Sequence, residues 1–132
     1  MPRGSPDWWR TNISGKSVYY PGQSFWYKQD GRTIGAGATE TIVSYTVPAN
    51  HYLLVCIGMA SSDAPVKCTT QINKDGTIIY ETYFEVEYTF PISPESPLKV
   101  AAGETVSLTA TNEDTADNFF IGGLYGILIE GA

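Results

Sequence analysis

Thr77-Ile78-Ile79-Tyr80-Glu81-Thr82-Tyr83-Phe84-Glu85-Val86-Glu87-Tyr88-Thr89-Phe90 is the stretch that decides the fold. Its even positions Ile78, Tyr80, Phe84, Val86, Tyr88 and Phe90 are apolar, with Thr82 the exception. Its odd positions include Glu81, Glu85, Glu87 and Thr89. A period of two is the signature of a strand with one face in a core and the other in water. Fourteen residues is long for one strand, so a bend near Thr82–Glu85 is expected to split it.

The same period runs outward in both directions. Upstream, Val66, Cys68, Thr70 and Ile72 alternate inward before Lys74-Asp75-Gly76. Asp-Gly between two alternating runs marks a tight hairpin, because both turn positions tolerate φ > 0. Thr41, Val43, Tyr45 and Val47 share a face and end at Pro48-Ala49-Asn50, a turn that a ladder cannot run through. Residues 51–60 and 118–129 are apolar on both faces, as strands in mid-sheet are. Gly122, Gly123 and Gly126 in the latter point to a bulge or a close backbone approach. Downstream, Val106, Leu108 and Ala110 alternate with Thr105, Ser107, Thr109 and Thr111. With 97–100 added, eight strands are expected: 41–47, 51–60, 66–73, 77–82, 84–90, 97–100, 104–111 and 118–129. The fold class is therefore all-β, an antiparallel two-sheet β-sandwich of the jelly-roll type, with a seven-stranded immunoglobulin-like sandwich as its rival. No Trp lies between the two cysteines, which disfavours that rival.

The opening of the chain is a different material. Its first 35 residues hold all three tryptophans, Trp8, Trp9 and Trp26, with Tyr19, Tyr20, Phe25 and Tyr27. They carry Arg3, Arg10, Lys16, Lys28 and Arg32 against two acids, a net +3, whereas the remainder is −9. Residues 1–38 accordingly read as an irregular aromatic and basic arm, and 39–132 as the sandwich domain. The candidate partner-binding residues are Arg3, Trp8, Trp9, Arg10, Tyr19, Tyr20, Phe25, Trp26 and Tyr27, since Trp, Tyr and Arg are favoured interface anchors. Folding back onto the sandwich's own core is the competing use of these aromatics.

A chain of 132 residues can bury a core of its own. Its net charge of −6 argues against a nucleic-acid partner, because phosphate repels an acidic body. The N-terminal residues lack the apolar stretch of a secretory signal, and no run approaches a membrane span, so a soluble protein made in a cytoplasm is expected. Asn12-Ile13-Ser14 matches a glycosylation acceptor by chance in that setting.

Catalytic and metal chemistry find little purchase. His51, the single histidine, follows a turn and has no nucleophile or acid at a useful spacing. Glu81, Glu85 and Glu87 alternate onto one face and read as a solvated acidic rail rather than a paired-carboxylate site. Glu113-Asp114-Thr115-Ala116-Asp117-Asn118 gathers oxygens in one loop but lacks the arrangement of a defined calcium site. Cys56 and Cys68 flank a turn, which leaves a disulfide open, although free buried thiols fit a reducing compartment better. No enzyme activity, no cofactor and no resident metal are expected.

The runs TIVSYTVPANHYLLVCIG (41–58), INKDGTIIY (72–80) and VAAGETVSLTATN (100–112) resemble the small jelly-roll modules of phage and other viral structural proteins, such as head-decoration proteins, spikes and fibre tips. The resemblance covers roughly residues 39–130. It implies a virion protein that self-associates, as a trimer by analogy, and is attached through the arm to a capsid or other virion protein. A carbohydrate- or receptor-binding module, with exposed aromatics as a sugar platform, is the alternative. Neither reading calls for a membrane partner.

Overall fold

The computed structural model describes residues 23–63 and 65–131. Among them are nine strands: β1 Gln23–Ile34, β2 Thr39–Thr46, β3 His51–Ser62, β4 Cys68–Lys74, β5 Thr77–Phe84, β6 Glu87–Thr89, β7 Leu98–Val100, β8 Thr105–Asn112 and β9 Asn118–Glu130. They make two antiparallel sheets. One runs β1-β9-β3-β6, with β7 also paired to β3, and the other runs β2-β8-β4-β5. β6 and β7 share one edge position, so eight strand positions take the jelly-roll order, the chain changing sheets at every step except the β4–β5 hairpin.

The core lies between the sheets, where fully buried Leu53, Val55, Phe120 and Leu124 of the larger meet Ile72, Val106 and Leu108 of the smaller. The alternation in β8 is as the sequence requires: Val106, Leu108 and Ala110 are buried, while the intervening residues are only half-buried. The Asp75-Gly76 turn closes the β4–β5 hairpin with φ of 50° and 81°, so both central residues are left-handed. β9 is the central strand of the larger sheet, paired with β1 along Gln23–Ile34 and with β3 along His51–Ser62. At Cys56 the β3 register shifts by one residue. Gly126, opposite this bulge, has no Cβ because the Leu54 carbonyl fills that space.

Two expectations are corrected. Residues 23–34 are a full strand of the larger sheet, so an arm reaching to residue 38 takes in part of the sandwich. The reason is that β1 is an edge strand with its polarity mixed. Directly opposite residues in a ladder share a face, and those of β1 opposite buried Phe120, Gly122 and Leu124 are Arg32, Asp30 and Lys28. Arg32 is held by Asp30 at 3.5 Å and Glu40 at 3.4 Å. Such charges are tolerated where the sheet ends and water reaches under it.

The second correction concerns 77–90. Phe84 and Phe90 are buried, and Tyr80 and Tyr88 pack against the core, but Ile78 and Val86 are about half exposed. An irregularity between Ile72 and Asn73 sets Ile78 opposite Asn73, on the outer face. The strand breaks at Glu85–Val86, where the two carbonyls accept from Val66 and Ser62 amides, at 2.9 and 2.8 Å respectively. The chain then crosses to the other sheet. Glu81 therefore lies in the smaller sheet and Glu87 in the larger, and the three glutamates form no common rail.

Candidate interaction surface

In β9 the even residues Phe120, Gly122 and Leu124 face the core, so the odd residues Phe119, Ile121, Gly123, Tyr125 and Ile127 point out. The ladder carries this face sideways. Phe25 is opposite Ile127, Tyr27 opposite Tyr125, Ile57 opposite Tyr125, and Met59 opposite Gly123. The outer face of the larger sheet is consequently apolar and largely uncovered among the described residues. Phe25 is 71% exposed, Tyr27 69%, Ile57 42% and Met59 41%. A strand surface facing only water would alternate to polar here, as β8 does with Thr105, Ser107, Thr109 and Thr111.

Tyr125 organises the centre of this face. Its ring lies over Gly123, where an added Cβ would come within 3.0 Å of the phenol oxygen. The hydroxyl donates to Gln29 Oε1 at 2.7 Å, and the ring runs nearly parallel to that of Tyr27, centroids 6.2 Å apart. Beside it a groove of about 200 Å³ opens between β1, β9, β3 and β6. Its walls are Gln29, Met59, Ser61, Ile121 and Tyr125, and Glu87 stands at the β6 side.

The anchors expected from sequence divide into three groups. Arg3, Trp8, Trp9, Arg10, Tyr19 and Tyr20 lie outside the described residues, as does the Asn12 acceptor. Phe25 and Tyr27 are on the exposed face. Trp26 turns the other way: it packs against the core, its ring 5.0 Å from that of Tyr45, and serves the interior. Sequence reasoning missed Ile57, Met59, Phe119, Ile121 and Tyr125. The signal was present in runs 51–60 and 118–129, apolar on both faces. Position in mid-sheet accounted for edge pairing but not for what covers the second face.

The remaining candidates make local contacts. His51 Nδ1 lies 2.8 Å from the Ala49 carbonyl at the turn before β3. In the 113–118 loop Asp114 Oδ1 accepts from the Thr115 amide and Asp117 Oδ1 from the Ala36 amide. Buried Asn112 holds the loop to β1, donating to the carbonyls of Ile34 at 2.9 Å and Ala116 at 2.8 Å and accepting from the Asp114 amide. Among the described residues no three His, Cys, Asp or Glu side chains converge to hold a metal.

Both cysteines are free. Cys68 is fully buried in β4 and its thiol donates to the Phe84 carbonyl at 3.1 Å. Burial, with Glu113 and then Glu85 nearby, pushes its pKa up to about 12. Burial and Glu95 raise Cys56 as well. Neither thiol has the depressed pKa of a nucleophile.

No protein-family model matches the sequence, and no curated protein matches it. Two solved structures show what the strand arrangement is similar to. One is of Bacillus endospore appendages, described as a novel family of disulfide-linked pili, at 12% identity over 92% of this chain and 100% of that one, TM-score 0.48. The other is dimeric latent PorU from Porphyromonas gingivalis, at 13% identity over 82% of this chain, TM-score 0.43; the match spans only 13% of the PorU chain.

Proposed function

We propose that this protein is a non-enzymatic structural component of a viral or phage particle, a capsid-decoration or surface-spike jelly roll that self-associates as a trimer. Its N-terminal segment attaches it to neighbouring chains. The observation that carries the reading is the apolar outer face of the larger sheet, with Phe25, Tyr27, Ile57, Met59 and Ile121 each more than a third exposed. Soluble monomers rarely present a contiguous apolar patch of this kind, and covering it by another chain is the ordinary resolution. Surface acids elsewhere keep the assembled particle dispersed.

Mass in solution across a concentration series tests this. The chain should form a discrete oligomer, and Ile121→Glu should shift it to monomer with little change in Tm. A chain that stays monomeric at every concentration overturns the reading.

Glycan binding is the second reading, favoured by one observation: the nearly parallel rings of exposed Tyr27 and half-buried Tyr125 on a sheet face. Binding on a glycan array that is lost in Tyr27→Ala would support it over the first.

A further inference from the structure

We propose that the groove beside Tyr125 receives Trp8-Trp9-Arg10 of a second copy of this chain, with an indole against Met59 and Ile121 and the Arg10 guanidinium at Glu87. This rests on the self-association reading and names what covers the face. The groove holds about 200 Å³. That is below the ~300–1,000 Å³ of small-molecule pockets and equals roughly seven waters of ~30 Å³ each, the scale of one large side chain. Its walls suit an amphipathic ring: thioether and isoleucine for the apolar body, Gln29 and Ser61 for an indole N–H. One acid, Glu87, stands beside it, and one cation, Arg10, follows the paired tryptophans.

Charge and length support the match. Residues 1–22 carry three basic groups against one acid, a net +2, and the rest of the chain is −8. Twenty-two residues precede Gln23, and Trp9 stands 14 residues before it, a reach of up to ~46 Å extended. Docking on its own sandwich would leave every molecule at −6 and repelling its neighbours. Docking on a second copy instead sets the basic segment of one molecule on the acidic body of the next, which steers the encounter and offsets the repulsion.

The test uses full-length chains and sedimentation velocity. Trp8→Ala with Trp9→Ala should weaken association by at least about a hundredfold at unchanged Tm, as loss of paired hot spots does. Arg10→Glu alone, and Glu87→Arg alone, should each weaken it about tenfold, and mixing the two should restore it because each groove then meets an opposite charge. Glu87 is exposed, and circular dichroism of both charge variants checks that they fold. Restoration in the Arg10→Glu/Glu87→Arg double variant but not in the mixture would place the segment on its own chain and overturn the proposal. No restoration in either overturns the Arg10–Glu87 pairing on which it stands. A wild-type chain that assembles while all three variants assemble equally well sinks this proposal and spares the self-association reading. A wild-type chain that never assembles sinks both.

Discussion

The carbonyl oxygen of Leu54 occupies the space that a Cβ on Gly126 would need. The contact follows from the bulge at Cys56, which pushes the β3 backbone toward β9 where the register shifts between Val55 and Ile57. The bulge and the glycine are thus one device in two strands.

Gly126→Ala should therefore cost at least about 3 kcal/mol or drive the bulge out of β3, because the obstacle is backbone and cannot rotate away. Gly35→Ala is the control. Its new methyl would meet only Asp117 Oδ1 at 3.7 Å, an ordinary contact, and the change should stay within about 0.5 kcal/mol. Urea titration of the two variants measures the difference; equal losses would contradict the geometry.

Phe84 and Val86 are two residues apart on a strand pattern, yet one is 7% exposed and the other 48%. Phe84→Ala should cost about 3–5 kcal/mol as a core truncation. Val86→Ala should cost under about 1 kcal/mol. Thermal melts of the pair decide whether the chain changes sheets at Glu85–Val86, because an unbroken strand would make the two losses comparable.

Cys68 supplies a pH signature. Its folded pKa of about 12 lies above an ordinary value of 9.0. The folded chain keeps the thiol protonated while the unfolded chain ionises, so this contribution is complete below pH 9 and is lost as pH rises toward 12. The stability gap between the wild type and Cys68→Ala should accordingly shrink by about 1.4 kcal/mol per pH unit above 9. Denaturant unfolding at pH 8, 9.5 and 10.5 measures it, and a gap that stays constant would show the thiol to be less confined than its burial implies.

Strands β2 to β9 were legible because their alternation or unbroken apolarity is written residue by residue, and the Asp75-Gly76 turn fixed one hairpin outright. β1 was not. Its outward positions hold Phe25 and Tyr27 and its inward ones Lys28, Asp30 and Arg32, so the usual polarity is inverted and composition alone reads as an arm. Ile78 shows a different limit: alternation gives a face only if the register is unbroken, and a one-residue irregularity opposite Asn73 leaves no mark in the hydrophobic pattern. The exposed surface was half legible. Phe25 and Tyr27 were singled out for their chemistry, but Met59, Ile121 and Tyr125 come together only through pairing across residues distant in sequence.

β9 is the spine of the larger sheet, hydrogen-bonded on one side to residues 23–34 and on the other to 51–62. Among the described residues it is also the last strand in chain order, so β1, the first of them, waits for it before it can pair. On a ribosome, β1 must emerge ahead of its ladder partner and wait until Asn118–Glu130 has cleared the exit tunnel. Closure of this sheet is then a late and non-local event, slow by the measure of contact separation. The interval in which β1 is loose is when a chain is most exposed to pairing with the wrong neighbour on a crowded polysome.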